Sequence, residues 1–336
     1  MKPAPILRQR LARAALALAV ADLTAVVVSG GVSLVGPVAA PGFALRVTAV
    51  ALLLIGRGWR RPGYGRAYLA LLLALVPILH YRGYRLRGDG LWYYSFAHSL
   101  AFDFDIDLSN QYRSLGIENQ RGSQPVRETG LSRFTYPVGA PILWVPFVEL
   151  GHLGVALRNA HGLPTRYDGF SDPYFHAVAL GNLLYGFLGF LVLDRLLRRW
   201  FPHWVSFLAV VGVGLGSFLA FYLTYHAIYT HALTFLLIAL FVNGWVKEEK
   251  TRRDYGILGL VLGIATLVRW QNAVFGLLPA VDLLARLRRR EWRFVVGAAA
   301  AFGGTFIFGI VPQLLSWKAI FDRLYIGVPL GPDYVR

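Results

Sequence analysis

The chain predicts an all-α protein that crosses a membrane several times, on three observations. Hydrophobic residues are 56% of the 336 positions, charged residues only 15%, and mean hydropathy is +0.51. That composition excludes an ordinary soluble domain. The apolar residues are gathered into runs that approach the ~20 residues a crossing helix needs. The basic residues fall between the runs. Net charge is +16, yet residues 81–172 hold nine arginines against nine acids, so the remaining 25 basic and nine acidic residues carry the whole excess. Basic residues confined to short loops and ends follow membrane topology rather than nucleic-acid binding. With no cysteine there is no disulfide framework and no thiolate metal site.

Residues 1–13 place Lys2, Arg8, Arg10 and Arg13 before an apolar run at 14–38. The run is too long for a signal peptide, holds Asp22 and is followed by further runs, so it reads as an uncleaved first helix. A second span is expected at 42–56, interrupted by Arg46, and a third at 67–81 after the basic stretch 57–66. Further spans are expected at 174–194, 203–223, 231–246, 255–268, 272–285 and 294–315, all in one transmembrane domain over 1–336. An even number of spans separates each basic cluster from the next, so 1–13, 57–66, 195–199, 247–254 and 286–293 can all face the cytoplasm. The loop 82–172 and the turns near 224–230 and 269–271 then face outward. Residues 137–157 are apolar, but a crossing there would move Arg195, Arg198 and Arg199 outside. Pro137, Pro141, Pro146, Glu149 and His152 also oppose a simple span. The segment reads as a helix on, or dipping into, the outer leaflet.

The outer loop opens with Gly88-Asp89-Gly90-Leu91-Trp92-Tyr93-Tyr94. An ionisable group between membrane segments is a functional candidate. The glycines allow a turn and a close approach, and the aromatics suit a lipid–water boundary. Asp89 beside Trp92 and Tyr93 could therefore meet a sugar or a lipid; the same run also suits a polar cap with interfacial anchors. Asp103, Asp105 and Asp107 alternate with apolar residues. If the segment is extended they share one face and can hold a divalent cation, or one of them can serve as a second carboxylate beside Asp89; the same alternation also suits the solvated face of a β-like or amphipathic segment. No other cofactor is called for. His226 and His231 flank an outer turn; a spacing of five does not stack them on one helical face, leaving hydrogen bonding, substrate contact or an interfacial position. Arg269-Trp270-Gln271-Asn272 offers a permanent cation, a ring and two amides at the junction of two short runs. An arginine there can grip a phosphate through two hydrogen bonds, snorkel to headgroups, or pair with a loop carboxylate.

Together these segments resemble the C-type (GT-C) integral-membrane glycosyltransferases, in particular the bacterial protein O-mannosyltransferase-like branch. Asp89 in its GDGLWYY run is similar to the family's acidic residue in the first large outer loop. Phe134-Thr135-Tyr136-Pro137-Val138-Gly139-Ala140-Pro141 resembles its tyrosine-proline-glycine element, residues 182–201 its next span and basic turn, and Leu267-Val268-Arg269-Trp270-Gln271-Asn272 its later outer-face arginine. The likeness covers roughly 67–320. Relatives continue with further spans beyond the position of Arg336, which implies a fragment or a short variant. The resemblance implies a GT-C-like helical bundle whose outer loop carries surface helices. It implies an enzyme of a multi-pass inner membrane with its active site facing the periplasm or exterior. The reaction implied is inverting sugar transfer from a polyprenyl-phosphate donor to a glycan, lipid or protein acceptor, with Asp89 as base and Arg269 at the donor phosphate. Trp92, Tyr93, Tyr136, His226, His231, Gln271 and Asn272 are the expected substrate contacts. Two other classes use the same features: a transporter or flippase for lipid-linked or anionic solutes, and a scaffold subunit.

Overall fold

A computed structural model describes residues 86–324. The expected spans 14–38, 42–56 and 67–81 lie outside the described residues. Every regular element among the described residues is helical, with one isolated bridge between Pro125 and Ser132. The chain divides into two compact units, one of residue 86 with 146–232 and the other of 87–145 with 233–324.

The second unit begins with α1 (Asp89–His98), which runs into a wide helical turn at Ser99–Asp103, and continues with α2 (Ser109–Ser114). Its core gathers Phe96, Leu108, Tyr112, Ile117, Val126, Phe134 and Val138 of the loop around Leu267 and Ile320 of later helices. Five of these are 1% exposed or less. The loop is therefore a folded cap rather than a solvated linker. It ends where α3 (Gly139–Ala160) begins, and α3 runs on into the other unit.

In the first unit the later part of α3 packs on α4 (Asp172–Leu197), and α5 (His203–Gly216) and α6 (Phe218–Thr224) follow. The α3–α4 contact depends on missing side chains. A Cβ at Gly181 would lie 2.5 Å from the Phe147 ring, and one at Gly151 would enter the Tyr174 ring. The Asn182 amide donates to the Ala227 carbonyl at 2.7 Å and fixes the turn after α6 on α4.

The chain returns to the second unit through α7 (His231–Trp245), α8 (Arg252–Val268), a short helical turn at Trp270–Gly276, α9 (Leu277–Arg288) and α10 (Trp292–Phe321). α8 and α10 run side by side at very close range. A Cβ at Gly263 would lie 2.5 Å from the Phe306 carbonyl oxygen, and one at Gly309 2.9 Å from the Gly263 Cα. Thr305 Oγ1 donates to the Gly256 carbonyl at 2.6 Å across the same seam. Small residues that let two backbones approach are the usual means of packing helices where lipid removes the hydrophobic drive.

Among the described residues three helices are long and apolar enough to cross a membrane: α3, α4 and α10. α4 and α10 extend the expected spans 174–194 and 294–315 at both ends, and α10 carries helix to Phe321 where a polar end was expected from 316. The segment expected at 203–223 is not one straight helix. α5 and α6 meet at a 69° bend, and counted as one broken span they raise the number to four. Ser217 makes the break: its backbone is extended, its hydroxyl donates to the Val213 carbonyl, and it accepts from Leu219 N–H to cap α6. α7 has 15 residues, about 22 Å of helix against a hydrocarbon core of about 30 Å. α3 also differs from expectation, since Pro146 sits inside a continuous 22-residue helix. The prolines thus do not interrupt it, and length and composition allow it to cross, while charge parity opposes a crossing.

Candidate active site

Gly88 sets up the site. Its φ of 51° and ψ of −132° suit glycine alone, and the chain enters α1 through it. Asp89 is the first residue of that helix, exposed, in the turn where the helix dipole favours a negative charge. Gly88 thus makes the expected turn, while Gly90 lies buried inside the helix that it opens. Asp89, Trp92 and Tyr93 are spaced three and four apart, so they share one helical face.

Tyr136 docks on that face. Its phenol donates to Asp89 Oδ1 at 3.1 Å. Its ring lies parallel to Trp92, centroids 6.0 Å apart at 16°, and meets Tyr93 edge-on at 5.2 Å. Tyr93 in turn meets the buried Trp144 edge-on at 6.1 Å. The aromatic residues thus stack on one another. Trp92 also meets the Tyr112 ring edge-on at 5.2 Å, and a Cβ at Gly122 would be 3.0 Å from the indole. Much of the Trp92–Tyr93 face that was expected to meet a sugar or a lipid is occupied by the protein itself.

Tyr112 and Phe134 hold the segment that carries Tyr136. The Tyr112 hydroxyl donates to the Arg133 carbonyl at 2.8 Å. Burial, and secondarily the neighbouring Tyr136 phenol, push the Tyr112 phenol well above its ordinary range, so it remains a neutral donor. Phe134 packs against Phe96, ring centroids 4.6 Å apart and tilted by 33°. At the other end of the segment Val138 N–H donates to Gln313 Oε1 of α10 at 2.9 Å. Gly139 lies against the α8 terminus: a Cβ there would be 2.6 Å from the Leu267 carbonyl. One short segment, 136–139, therefore touches the Asp89 carboxylate at one end and the residues leading to Arg269 at the other.

Arg269 is half-buried and extended, φ −152° and ψ 124°, and it ends α8. Trp270 stacks on Trp317 at 5.0 Å. Gln271 is exposed, and Asn272 is buried with its amide donating to the Ala265 carbonyl at 2.8 Å. That amide closes the end of α8, a structural task the expected substrate contact did not foresee.

The three aspartates do not lie along an extended strand. Asp103 closes a helical turn and Phe104 turns left-handed with φ 57°. Asp103 accepts from the Asn110 amide at 3.0 Å and from the Gln111 amide. Asp105 accepts from the Ser99 hydroxyl at 2.6 Å and Asp107 N–H at 3.1 Å. Asp107 accepts from Ser109 N–H at 3.1 Å. Each carboxylate is turned to its own local donors. Among the described residues no group of three His, Cys, Asp or Glu side chains could hold a metal ion.

His226 and His231 belong to the other unit, in a ring cluster. His231 stacks on Tyr222 at 3.5 Å and 6°, and His226 on Phe221 at 4.8 Å. Sequence reasoning passed over Gln313, whose role depends on Val138, 175 positions earlier. Its only local signal is an amide inside an apolar run. Comparison of the chain with protein-family models, with curated proteins and with solved structures finds no match.

Proposed function

We propose that the protein is a membrane glycosyltransferase that moves a sugar, with inversion, from a polyprenyl-phosphate donor to an acceptor hydroxyl on the non-cytoplasmic face. The observation that carries this reading is the hydrogen bond from Tyr136 to Asp89. It joins two segments that resemble the family separately and lie 47 positions apart. The apolar helices α3, α4 and α10 support a membrane setting.

In this reading the Asp89 carboxylate takes the proton of the acceptor hydroxyl as that oxygen bonds to the anomeric carbon. The bond from the anomeric carbon to the phosphate oxygen breaks, and the polyprenyl phosphate leaves with the electron pair. Arg269 answers the charge that grows on the phosphate. The hydrogen bond to Oδ1 leaves Oδ2 for the acceptor. Most of the acceleration comes from positioning and fixed charge. Exposure of Asp89 on a helix start suits a group that must meet a second substrate.

The rival reading, a transporter or flippase, is separated by one experiment. The full-length chain in proteoliposomes is given a polyprenyl-phosphate sugar, and release of free polyprenyl phosphate is followed beside movement of the labelled lipid between leaflets. Acceptor-dependent release supports the transferase. Translocation with the sugar–phosphate bond intact overturns it.

A further inference from the structure

The α8–α10 seam has a fixed register. Gly259 meets Thr305, Gly263 meets Gly309, and Trp270 just past the end of α8 meets Trp317, so along the seam a residue faces the α10 residue 46 or 47 positions later. At that register Thr266 lies level with Gln313, and Arg269 level with Ser316. The segment at 138–139 confirms the level, since it touches Gln313 through Val138 and Leu267 through Gly139.

Three buried polar groups end in this layer without hydrogen-bond partners: Thr266 Oγ1, Gln313 Nε2 and Ser316 Oγ. The three residues are 6%, 1% and 7% exposed. Gln313 uses its carbonyl on Val138 and leaves both amide hydrogens unmade. Unmade buried donors are costly and rare in native proteins, and here three cluster at one end of one helix pair. Serine and threonine in a helix commonly satisfy themselves on the carbonyl one turn back, and Thr224 of α6 does so, donating to the Ala220 carbonyl at 2.7 Å. Thr266 and Ser316 do not.

All three can donate, and a permanent cation stands at the same level. We infer that Thr266, Gln313 and Ser316, with Arg269, form a binding subsite for the phosphate of a lipid-linked substrate. Phosphate fits because its oxygens accept several hydrogen bonds at once and carry the charge that an arginine matches. The assignment of the phosphate to a sugar donor rests on the transferase reading; the subsite itself rests on the unmade donors. It adds neutral donors on α8 and α10 to the single arginine that sequence reasoning supplied.

The test is binding by the full-length protein in nanodiscs, with polyprenyl phosphate, phosphatidylglycerol and inorganic phosphate as separate probes. Gln313→Glu keeps the oxygen that accepts from Val138 and replaces the donor with a negative group. Ser316→Ala removes a hydroxyl that the protein itself does not use. Polyprenyl phosphate affinity should fall at least tenfold in Gln313→Glu and several-fold in Ser316→Ala, while the thermal midpoint of ligand-free Ser316→Ala stays the same or rises. Wild-type binding of polyprenyl phosphate that both variants retain overturns the subsite and leaves the transferase reading standing. Binding of phosphatidylglycerol or inorganic phosphate alone, lost in both variants, keeps the subsite and removes the lipid-linked sugar donor. No binding of any probe overturns the subsite, and so does a Ser316→Ala protein that is destabilised without ligand.

Discussion

The phenol of Tyr136 donates to Oδ1 of Asp89 across 47 residues of chain, at 3.1 Å. Without it Asp89 is an exposed side chain at a helix start, free to sample its rotamers. With it one oxygen is engaged and the other has a fixed direction. Trp92, Tyr93 and Phe134 hold the Tyr136 ring from three sides. Tyr136→Phe keeps those ring contacts and removes only the hydroxyl. The variant should fold as wild type, bind donor normally and turn over about tenfold more slowly, in line with one misplaced hydrogen bond at a reacting group. An unchanged kcat with a raised KM would make Tyr136 a substrate contact instead.

Gly139 concerns stability. A methyl group there would meet the Leu267 carbonyl carbon and oxygen and the Val268 nitrogen, all backbone atoms, within 2.6–2.7 Å. Backbone cannot rotate aside. Gly139→Ala should therefore cost roughly 1–3 kcal/mol, as overpacking does, and lower the thermal midpoint of the detergent-purified protein. Gly116→Ala, with nothing within 4 Å but a φ of 66°, separates backbone strain from crowding. A Gly139→Ala midpoint equal to wild type would show that the segment is not clamped between the cap and α8.

Whether α3 crosses can be read directly. Asn119 and Arg166 are exposed on either side of α3, and Glu248 is exposed between α7 and α8. The chain has no cysteine, so single replacements label cleanly. Charge parity predicts that membrane-impermeant maleimide reaches Asn119→Cys and Arg166→Cys from the same side and Glu248→Cys from the other. Labelling of Asn119→Cys and Arg166→Cys from opposite sides would make α3 a crossing helix and move Arg195–Arg199 across the membrane.

The start of α8 gives a pH dependence with a definite sign. Asp254 accepts from the Thr251 hydroxyl and backbone N–H, both at 2.7 Å, and from Lys247 at 3.0 Å. The Thr251 bonds, then Lys247, lower its carboxyl to about 2, below the ~3.9 expected when unfolded. A depressed folded value contributes stability that is present above the unfolded value and is lost as pH falls through the folded one. The advantage of wild type over Asp254→Asn should therefore be full at pH 5 and vanish towards pH 2. Thr251→Ala should cost ~1 kcal/mol at neutral pH. An advantage that grows on acidification would assign the cap a different role.

The helical class was legible because composition and run length are local properties. So was the neutral loop, from its balance of nine arginines and nine acids. What the sequence concealed depends on distant partners. Alternating apolar residues and Asp at 102–107 read as a two-residue period, yet Ser99, Asn110 and Gln111 draw the carboxylates into a turn. Pro146 reads as a breaker, yet α3 continues through it. Ser217 reads as one polar residue in an apolar run, and only its two hydrogen bonds reveal the end of a helix. At the site, Asp89 and the spacing of Trp92 and Tyr93 were visible. The docking of Tyr136 and the part played by Gln313 were not, because no periodicity links positions 47 or 175 apart.

In the proposed reaction Asp89 is the base. Asp89→Asn keeps the shape and an oxygen to accept from Tyr136, and removes the basicity. The decisive measurement is single-turnover sugar transfer by the reconstituted full-length Asp89→Asn protein, with donor saturating. Donor binding should be normal and the rate ~10²–10⁴-fold below wild type, the usual cost of losing a positioned base. Transfer by Asp89→Asn within a few-fold of wild type would contradict it.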